Sequence, residues 1–209
     1  MIPKQISAAL VVFVMTVLLA TAGSTEPMAI IKVPIDRVID ILNDPQYKVA
    51  GTKLTQRNQI WKHVGPMFDF DEVARRAVAR KWRDFADTEK AAFTDVFAQF
   101  LGNTYIDKIQ GEYHNEQIVY LGQNYHSEVY AEVKTRIVRE TAEIPVDYRM
   151  RKKSDDQWKV YDIIVEGVSL VKNYRSQFAS ILRKETPAQL IQRLNDKLTE
   201  QNKRLAENE

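Results

Sequence analysis

The chain has 209 residues, with 30 basic and 28 acidic side chains, and contains no cysteine. That length suits one well-buried domain or two small ones. The near balance of charge gives no support to nucleic-acid binding. The lack of cysteine excludes disulfides, a thiol nucleophile and a lipoprotein anchor, which needs a cysteine at its cleavage site.

The first 22 residues have the pattern of a secretory signal peptide. Lys4 is the only charged residue before Glu26, residues 6–20 are almost wholly apolar, and Ala20-Thr21-Ala22 supplies small residues for cleavage. The alternative is an uncleaved membrane anchor, but an apolar core of about 15 residues is short of the roughly 20 that span a bilayer. We therefore predict a signal peptide over residues 1–22, and a single exported domain over residues 23–209 that resides in the periplasm.

Two short helices are predicted between residues 34 and 64. Asn43-Asp44-Pro45 ends the first helix and Gly65-Pro66 ends the second, because these residues favour turns. The two apolar stripes consist of Ile35, Val38, Ile39 and Leu42, and of Leu54, Ile60, Trp61 and Val64.

Two further helices follow, and the second is the most aromatic of the chain. Asp71 is the predicted cap of the first, and the second is expected from Thr88 to about Gly111. An aromatic stripe at helical spacing is typical of a core, and it can equally form one wall of a cavity. The basic pairs at 75–76 and 80–81 are interpreted as a solvated face, with a partner-binding patch as the alternative. The predicted stripes are Val73, Ala74, Ala77, Val78 and Trp82, and Phe93, Val96, Phe97, Phe100, Leu101 and Tyr105.

Four consecutive strands with short polar connections predict an antiparallel meander. The first, residues 117–121, is expected to end at Gly122-Gln123-Asn124. The second and third, residues 129–137 and 144–151, alternate apolar and polar side chains, so each has one solvated face. The fourth, residues 158–165, is apolar on both faces and requires cover on both sides. Helices before and after the strands indicate an α+β fold.

Two helices are predicted after the strands. The first follows Gly167, a flexible point at which the helix could swing over the sheet, and its stripe is Val171, Tyr174, Phe178 and Ile181–Leu182. The second begins at Thr186-Pro187, where Gln189 completes a capping box. The polar tail from about residue 200 is expected to fray. The strand and helix around Gly167 could form the wall and lid of an apolar site, or belong to an ordinary sheet between helical layers.

Few side chains are candidates for catalysis or metal binding. His63, His114 and His126 lack the spacing of a metal motif, and the glycines form neither a phosphate loop nor a nucleophile elbow. We therefore assign no catalytic residue, metal ligand or cofactor. Asp162 stands inside the apolar fourth strand, either as a structural carboxylate satisfied by backbone amides or an arginine, or as a general base in a hydrophobic pocket; we favour the structural role.

Several ordered stretches of the chain match one known family. They are Phe68-Asp69-Phe70, Ala74-Arg75-Arg76-Ala77 with Trp82, residues 97–105, Val146-Asp147-Tyr148 and, most specifically, WKVYDIIVEGVSLVKNYRSQF over residues 158–178. Over residues 34–197 the chain thereby resembles the MlaC family, the periplasmic phospholipid-binding proteins of the Mla lipid-transport system, also called toluene-tolerance auxiliary proteins. Ala79 departs from the family pattern, in which a glycine is expected. The resemblance therefore does not determine how the helix packs at this position.

The resemblance implies a fold and a function. The fold is a twisted four-stranded antiparallel sheet of the nuclear-transport-factor-2 type, with helices around it that enclose an apolar cavity. The function is non-enzymatic: a phospholipid shuttle between the inner and outer membranes, with the acyl tails buried and the headgroup in water. The implied partners are an inner-membrane Mla-type ABC transporter complex and an outer-membrane lipoprotein–porin complex, and the protein is expected to be a monomer. The alternatives are a binding protein for another apolar cargo such as a hopanoid, and an enzyme that uses Asp162.

We expect the lipid site to be lined by apolar side chains of the sheet and of two helices. The sequence does not decide which face of each strand lines the site. Lys172 and Arg175 are candidates for contact with a lipid phosphate or a partner, with solvent as the alternative. The expected lining residues are Phe97, Tyr105, Val133, Val146, Tyr148, Ile163, Val165, Val168, Tyr174 and Phe178.

Overall fold

The computed structural model describes residues 26–207, so the predicted signal peptide lies outside the described residues. Four helices come first: α1 (Pro27–Asn43), α2 (Lys53–Val64), α3 (Phe70–Val78) and α4 (Asp87–Glu112). Five strands follow: β1 (Gln117–Ser127), β2 (Tyr130–Val138), β3 (Glu143–Lys152), β4 (Trp158–Val165) and β5 (Val168–Ser169). Two helices end the chain, α5 (Leu170–Ile181) and α6 (Pro187–Glu207). Within residues 26–207, no helix combines the length and apolar character needed to cross a membrane.

The first two helices are both present, and α1 is longer than predicted. It begins at Pro27 and continues through Pro34, the predicted start. The added turns carry Ile31, which is fully buried, so tertiary packing supports helix on both sides of the proline. Helix α2 ends at Val64, immediately before Gly65-Pro66, as predicted.

Helix α3 differs from its prediction at both ends. Asp69, and not Asp71, is the N-cap, because its Oδ1 accepts a hydrogen bond of 3.2 Å from the backbone N–H of Glu72. The helix stops at Val78 because Ala79 has a φ of 50°, in the left-handed region that favours glycine. Trp82 therefore lies in the 3-10 turn Ala79–Asp84 and not in the helix, although it packs against the same core.

The antiparallel meander is confirmed, but it has five strands in the order β1-β2-β3-β4-β5 and not four. Strand β5 has only two residues, too few to show an alternating pattern, and it forms a hairpin with β4 through Glu166 and Gly167. Strand β1 does not end at Gly122. The register shifts between Tyr120 and Gly122, so the glycine marks a bulge within a longer strand.

The two faces of the sheet differ in chemistry. On one face, Val133 lies opposite Tyr148, which lies opposite Ile163; we call it the apolar face. On the other, Glu132, Arg149 and Asp162 are in register; we call it the polar face. Helix α1 and the turn before α3 cover the apolar face, where the buried cluster comprises Ile31, Met67, Ala131, Val133, Met150, Trp158 and Val160.

A second buried cluster, which we call the helix cluster, joins α3, α4, α5 and α6. At its centre the ring of Phe97 lies 5.1 Å from the rings of both Tyr174 and Phe178, and Phe93 stacks on Phe97 at 5.5 Å. These edge and stacked arrangements are the favourable geometries for aromatic pairs. The aromatic stripe of α4 is therefore mainly core.

Residues 200–207 are helical, so the predicted fraying is wrong for them. Helix α6 continues to Glu207, and Leu205 is buried. Asn103 on α4 donates a 2.8 Å hydrogen bond to Asn202, and Gln201 donates one of 2.8 Å to Thr104. The polar residues of the tail face α4, which a count of apolar residues does not reveal. The capping box at Thr186 and Gln189 is confirmed.

Candidate functional site

Large apolar side chains that are only partly buried pack on the margins of the buried clusters, and we call them the seam. Phe68 packs on both the cluster of the apolar face and the helix cluster. Phe70 continues this contact, because its ring lies 5.3 Å from Phe68 and 5.6 Å from Trp61. The seam comprises Trp61, Phe68, Phe70, Phe100, Tyr105, Tyr148 and Ile163.

Backbone contacts with β4 hold Phe68 of the seam in place. Phe68 forms a parallel bridge with Val160, and the N–H of Asp69 donates a 2.9 Å hydrogen bond to the carbonyl of Val160. Trp61 lies across α4 at Gly102, where an added Cβ would be 2.7 Å from the indole ring. A glycine at this point of α4 is therefore what allows the indole to approach so closely.

The tyrosine hydroxyls of this region carry no charge at neutral pH. Burial raises the pKa of Tyr105 and of Tyr174, and the two hydroxyls are hydrogen-bonded to each other. Burial also raises the pKa of Tyr148 to about 12, with a hydrogen bond to Thr135 acting in the opposite direction. The seam is thus apolar with a few neutral hydrogen-bonding groups, a surface suited to hydrocarbon.

The expected lining residues do not share one surface. Phe97, Tyr174 and Phe178 lie inside the helix cluster, and Val133 and Val146 are buried beneath the apolar face. Tyr105, Tyr148 and Ile163 belong to the seam and are partly accessible.

The last two expected residues lie at the open end of the apolar face. Val165 is 40% exposed and Val168 is 62% exposed, and they pair across the β4–β5 hairpin. Glu166 and Gly167 between them both have positive φ, 50° and 80°. This is the two-residue turn that matches the twist of a hairpin, so Gly167 lies in a tight turn, with a short strand between it and α5.

Four seam residues were absent from the expected lining: Trp61, Phe68, Phe70 and Phe100. Phe68 and Phe70 stand in the Phe68-Asp69-Phe70 stretch quoted for the family resemblance, and Trp61 precedes a Gly-Pro break. Aromatic residues next to a helix break could have been noticed, because such positions lie at the edge of a core and not in its centre.

Asp162 has the structural role that we favoured. It is 5% exposed, and its Oδ2 accepts a 2.6 Å hydrogen bond from Ser169 Oγ while its Oδ1 accepts one of 3.0 Å from the N–H of Val171. Arg149 Nη1 lies 3.7 Å from the same carboxylate. The side chain therefore joins β4 to the first turn of α5, where a negative charge is favourable.

Lys172 and Arg175 are exposed on α5, and both line a cleft of about 230 Å³. The cleft also contains Arg149 and Asp162, so it opens on the polar face of the sheet and not beside the apolar face. Its remaining walls are Arg76, Tyr161, Ser169 and Val171. Across residues 26–207, no group of three or more histidine and acidic side chains is placed to hold a metal ion.

Comparisons with known proteins agree with this architecture. The family model described as "MlaC protein" matches residues 32–196. The chain is similar to a solved structure from Ralstonia solanacearum, described as a phospholipid-binding protein in complex with a phospholipid, with a TM-score of 0.72 and 24% sequence identity. That similarity covers 84% of this chain and 98% of the other. No curated protein sequence matches the chain.

Proposed function

The chain belongs to the MlaC family, and we propose that it binds a phospholipid in the seam, with the acyl tails against its aromatic side chains and the headgroup in water. The observation that carries this proposal is that large aromatic side chains on the margins of two well-packed clusters remain partly accessible. Large apolar side chains that remain partly exposed to solvent are a favourable contact surface for an apolar ligand. The similar protein from Ralstonia solanacearum, described in complex with a phospholipid, supports the same class of ligand.

The energetics suit a carrier. Burial is worth about 0.8 kcal/mol per methylene, so two tails of about 15 methylenes gain roughly 24 kcal/mol relative to water. Relative to a bilayer the tails gain almost nothing, because they were already out of water. A carrier therefore need not bind lipid more tightly than a membrane does. It has to shield the tails while they cross the aqueous space.

The wider setting is part of the same proposal. A signal peptide over residues 1–22 would carry the protein into the periplasm. We place the protein there as a monomer, between an inner-membrane Mla-type ABC transporter complex and an outer-membrane lipoprotein–porin complex. The family membership supports this setting, because a carrier must receive and deliver its lipid at membrane complexes.

The enzyme alternative finds little support in the surroundings of Asp162. Ser169 and Val171 each donate a hydrogen bond to one of its carboxylate oxygens, and these contacts tie β4 to the start of α5, as expected of a structural carboxylate. Another apolar cargo, such as a hopanoid, would suit the same seam and is distinguished by the identity of the bound molecule.

The direct test is to purify the mature protein without detergent, extract it with organic solvent and identify the lipids by mass spectrometry. We expect phospholipid at a defined ratio to protein. Substitution Ile163→Trp should fill part of the seam and reduce the lipid content while the circular dichroism spectrum stays unchanged. The matched control is Val119→Trp, at an exposed position of β1, which should leave the lipid content unchanged.

Two results would contradict the proposal. A protein purified without any bound lipid, although folded and able to meet membranes, would argue against a lipid site. An unfolded Ile163→Trp variant would show that this side chain is close-packed core. The shuttle role needs a separate measurement, the protein-dependent transfer of labelled phospholipid between donor and acceptor vesicles.

A further inference from the structure

The cleft on the polar face concentrates positive charge that the lipid proposal does not use. Four of the side chains that line it are cationic, namely Arg76, Arg149, Lys172 and Arg175, and one is acidic, Asp162. The four cationic side chains come from three elements, α3, β3 and α5. A cleft walled by several elements and lined mainly by one sign of charge focuses its field and attracts counter-ions.

The guanidinium groups are held in place by the fold. Arg76 stacks over the ring of Tyr161, with Cζ 4.1 Å from the ring centroid, and is bound to Glu72 by its Nε at 2.6 Å. Arg175 donates from Nε to the backbone carbonyl of Arg76 at 2.8 Å. This hydrogen bond fixes the Nε end of the Arg175 guanidinium group and leaves its two terminal nitrogens available for another acceptor.

The acidic groups nearby neutralise the cleft only in part. Arg149 forms ion pairs with Asp162 at 3.7 Å and with Glu132 at 3.8 Å, but both distances are beyond hydrogen-bond length, so its N–H donors remain available to another acceptor. Among residues 26–207, neither Lys172 nor Arg175 has an acidic side chain within 4.0 Å. Arg149, Lys172 and Arg175 therefore keep N–H groups that are available to a ligand in the cleft. The start of α5 adds nothing to this argument, because Asp162 and Ser169 already occupy its first N–H groups.

From this geometry we infer that the cleft binds a phosphate group, with Arg175 and Arg149 as the guanidinium donors and Lys172 as an additional charge. Planar guanidinium forks match the paired oxygens of a phosphate, and a lysine adds a compact positive charge. A volume of about 230 Å³ accommodates one such group but not a lipid tail. The site is separate from the seam, because it lies on the opposite face of the sheet.

The phosphate is either free in solution or part of the headgroup of a membrane lipid other than the one in the seam, and a titration separates these sources. The delipidated, isotope-labelled mature protein is titrated with inorganic phosphate and, separately, with glycerophosphoglycerol, a soluble phosphodiester without acyl chains. Nuclear magnetic resonance follows the amides of Ser169 and Lys172 and the Arg175 Nε–H, at constant ionic strength. Saturable shifts with phosphate alone indicate a free anion, and equal or stronger shifts with the phosphodiester indicate a headgroup.

The double variant Lys172→Gln/Arg175→Gln should bind the effective probe about tenfold more weakly or worse, because two charge-assisted contacts are lost. Lys184→Gln removes a charge from an exposed position outside the cleft and should not change the affinity.

Absence of saturable shifts in the wild-type protein, or equal weakening by the control, would overturn the inference. Equal binding of acetate would overturn it in favour of a protein carboxylate. The lipid content is measured separately, by organic-solvent extraction. A failure of the lipid proposal is therefore distinguished from a failure of the phosphate site.

Discussion

Two phenylalanines of the same helix, Phe97 and Phe100, lie in different surroundings. Phe97 is 1% exposed, and aromatic rings of α4 and α5 contact it from several sides. Phe100, one turn further on, is partly exposed, and its ring is 6.1 Å from Tyr174. The comparison teaches that similar aromatic residues serve two purposes here: the helix cluster uses them for rigidity, and the seam keeps them accessible.

The largest expected effect comes from truncating the two phenylalanines. Phe97→Ala should lower the free energy of unfolding by about 3–5 kcal/mol, because it removes a fully buried ring and leaves a cavity. Phe100→Ala should cost clearly less, about 1–2 kcal/mol, because its ring buries less apolar area. Denaturant unfolding measures both.

The lipid content of the folded variants tests the comparison itself. We expect Phe100→Ala to reduce the lipid bound per folded molecule, and Phe97→Ala to leave that ratio near the wild-type value whenever the protein is folded. Equal stability losses, or loss of lipid only in Phe97→Ala, would show that the division between core and seam is incorrect.

The contact between the helix cluster and the sheet should depend on pH through Glu72. This carboxylate is 4% exposed; burial opposes its ionisation, but hydrogen bonds and charges from Arg75 and Arg76 outweigh burial and hold its pKa below the ordinary 4.5. Arg151 of β3 approaches it at 3.4 Å. A carboxyl group with a lowered pKa stabilises the fold at pH above its unfolded-state pKa, and this contribution disappears as the pH falls through the folded-state pKa.

The variant Glu72→Gln should therefore lose about 1.5–3 kcal/mol of stability at neutral pH. The difference in melting temperature between wild type and variant should shrink as the pH falls below 4.5. Glu128→Gln is the matched control, since this side chain is exposed between β1 and β2, and it should change the melting temperature little. A wild-type advantage that persists at low pH would contradict the assignment to Glu72.

Asp162 joins the two regions more locally, between β4 and α5. Asp162→Asn keeps the shape but removes the charge at the start of α5 and weakens the hydrogen bonds to Ser169 and Val171. We expect a loss of ~1–3 kcal/mol in thermal or denaturant unfolding. Lipid content per folded molecule should change little, and loss of an enzymatic turnover without loss of stability would support the enzyme alternative instead.

The smallest expected effect is a gain in stability at Ala79. Its φ of 50° is costly for any residue with a Cβ, and Ala79→Gly should raise the free energy of unfolding by about 1 kcal/mol. The change lies at the end of α3, outside the seam, so bound lipid should stay constant. A destabilised Ala79→Gly variant would show that the backbone strain is relieved in another way.

Local patterns predicted most of the elements. Hydrophobic alternation predicted β2 and β3 nearly to the residue, a run that is apolar on both faces predicted β4, and the capping box at Thr186 located the start of α6. Where the sequence reasoning failed, a partner distant in the chain was responsible. Strand β5 exists because β4 lies beside it, and α6 continues to Glu207 because α4 offers polar partners to its last turns.

By itself, the sequence determined the α+β class, the antiparallel meander and the resemblance to the MlaC family, because strand alternation, helical stripes and ordered motifs are local properties. Only the tertiary structure decided which aromatic side chains are core and which remain accessible, because a helical stripe does not reveal how closely the next layer approaches. It also decided that Lys172 and Arg175 share a cleft with Arg149, since strand register and the packing of α5 bring together residues far apart in the chain.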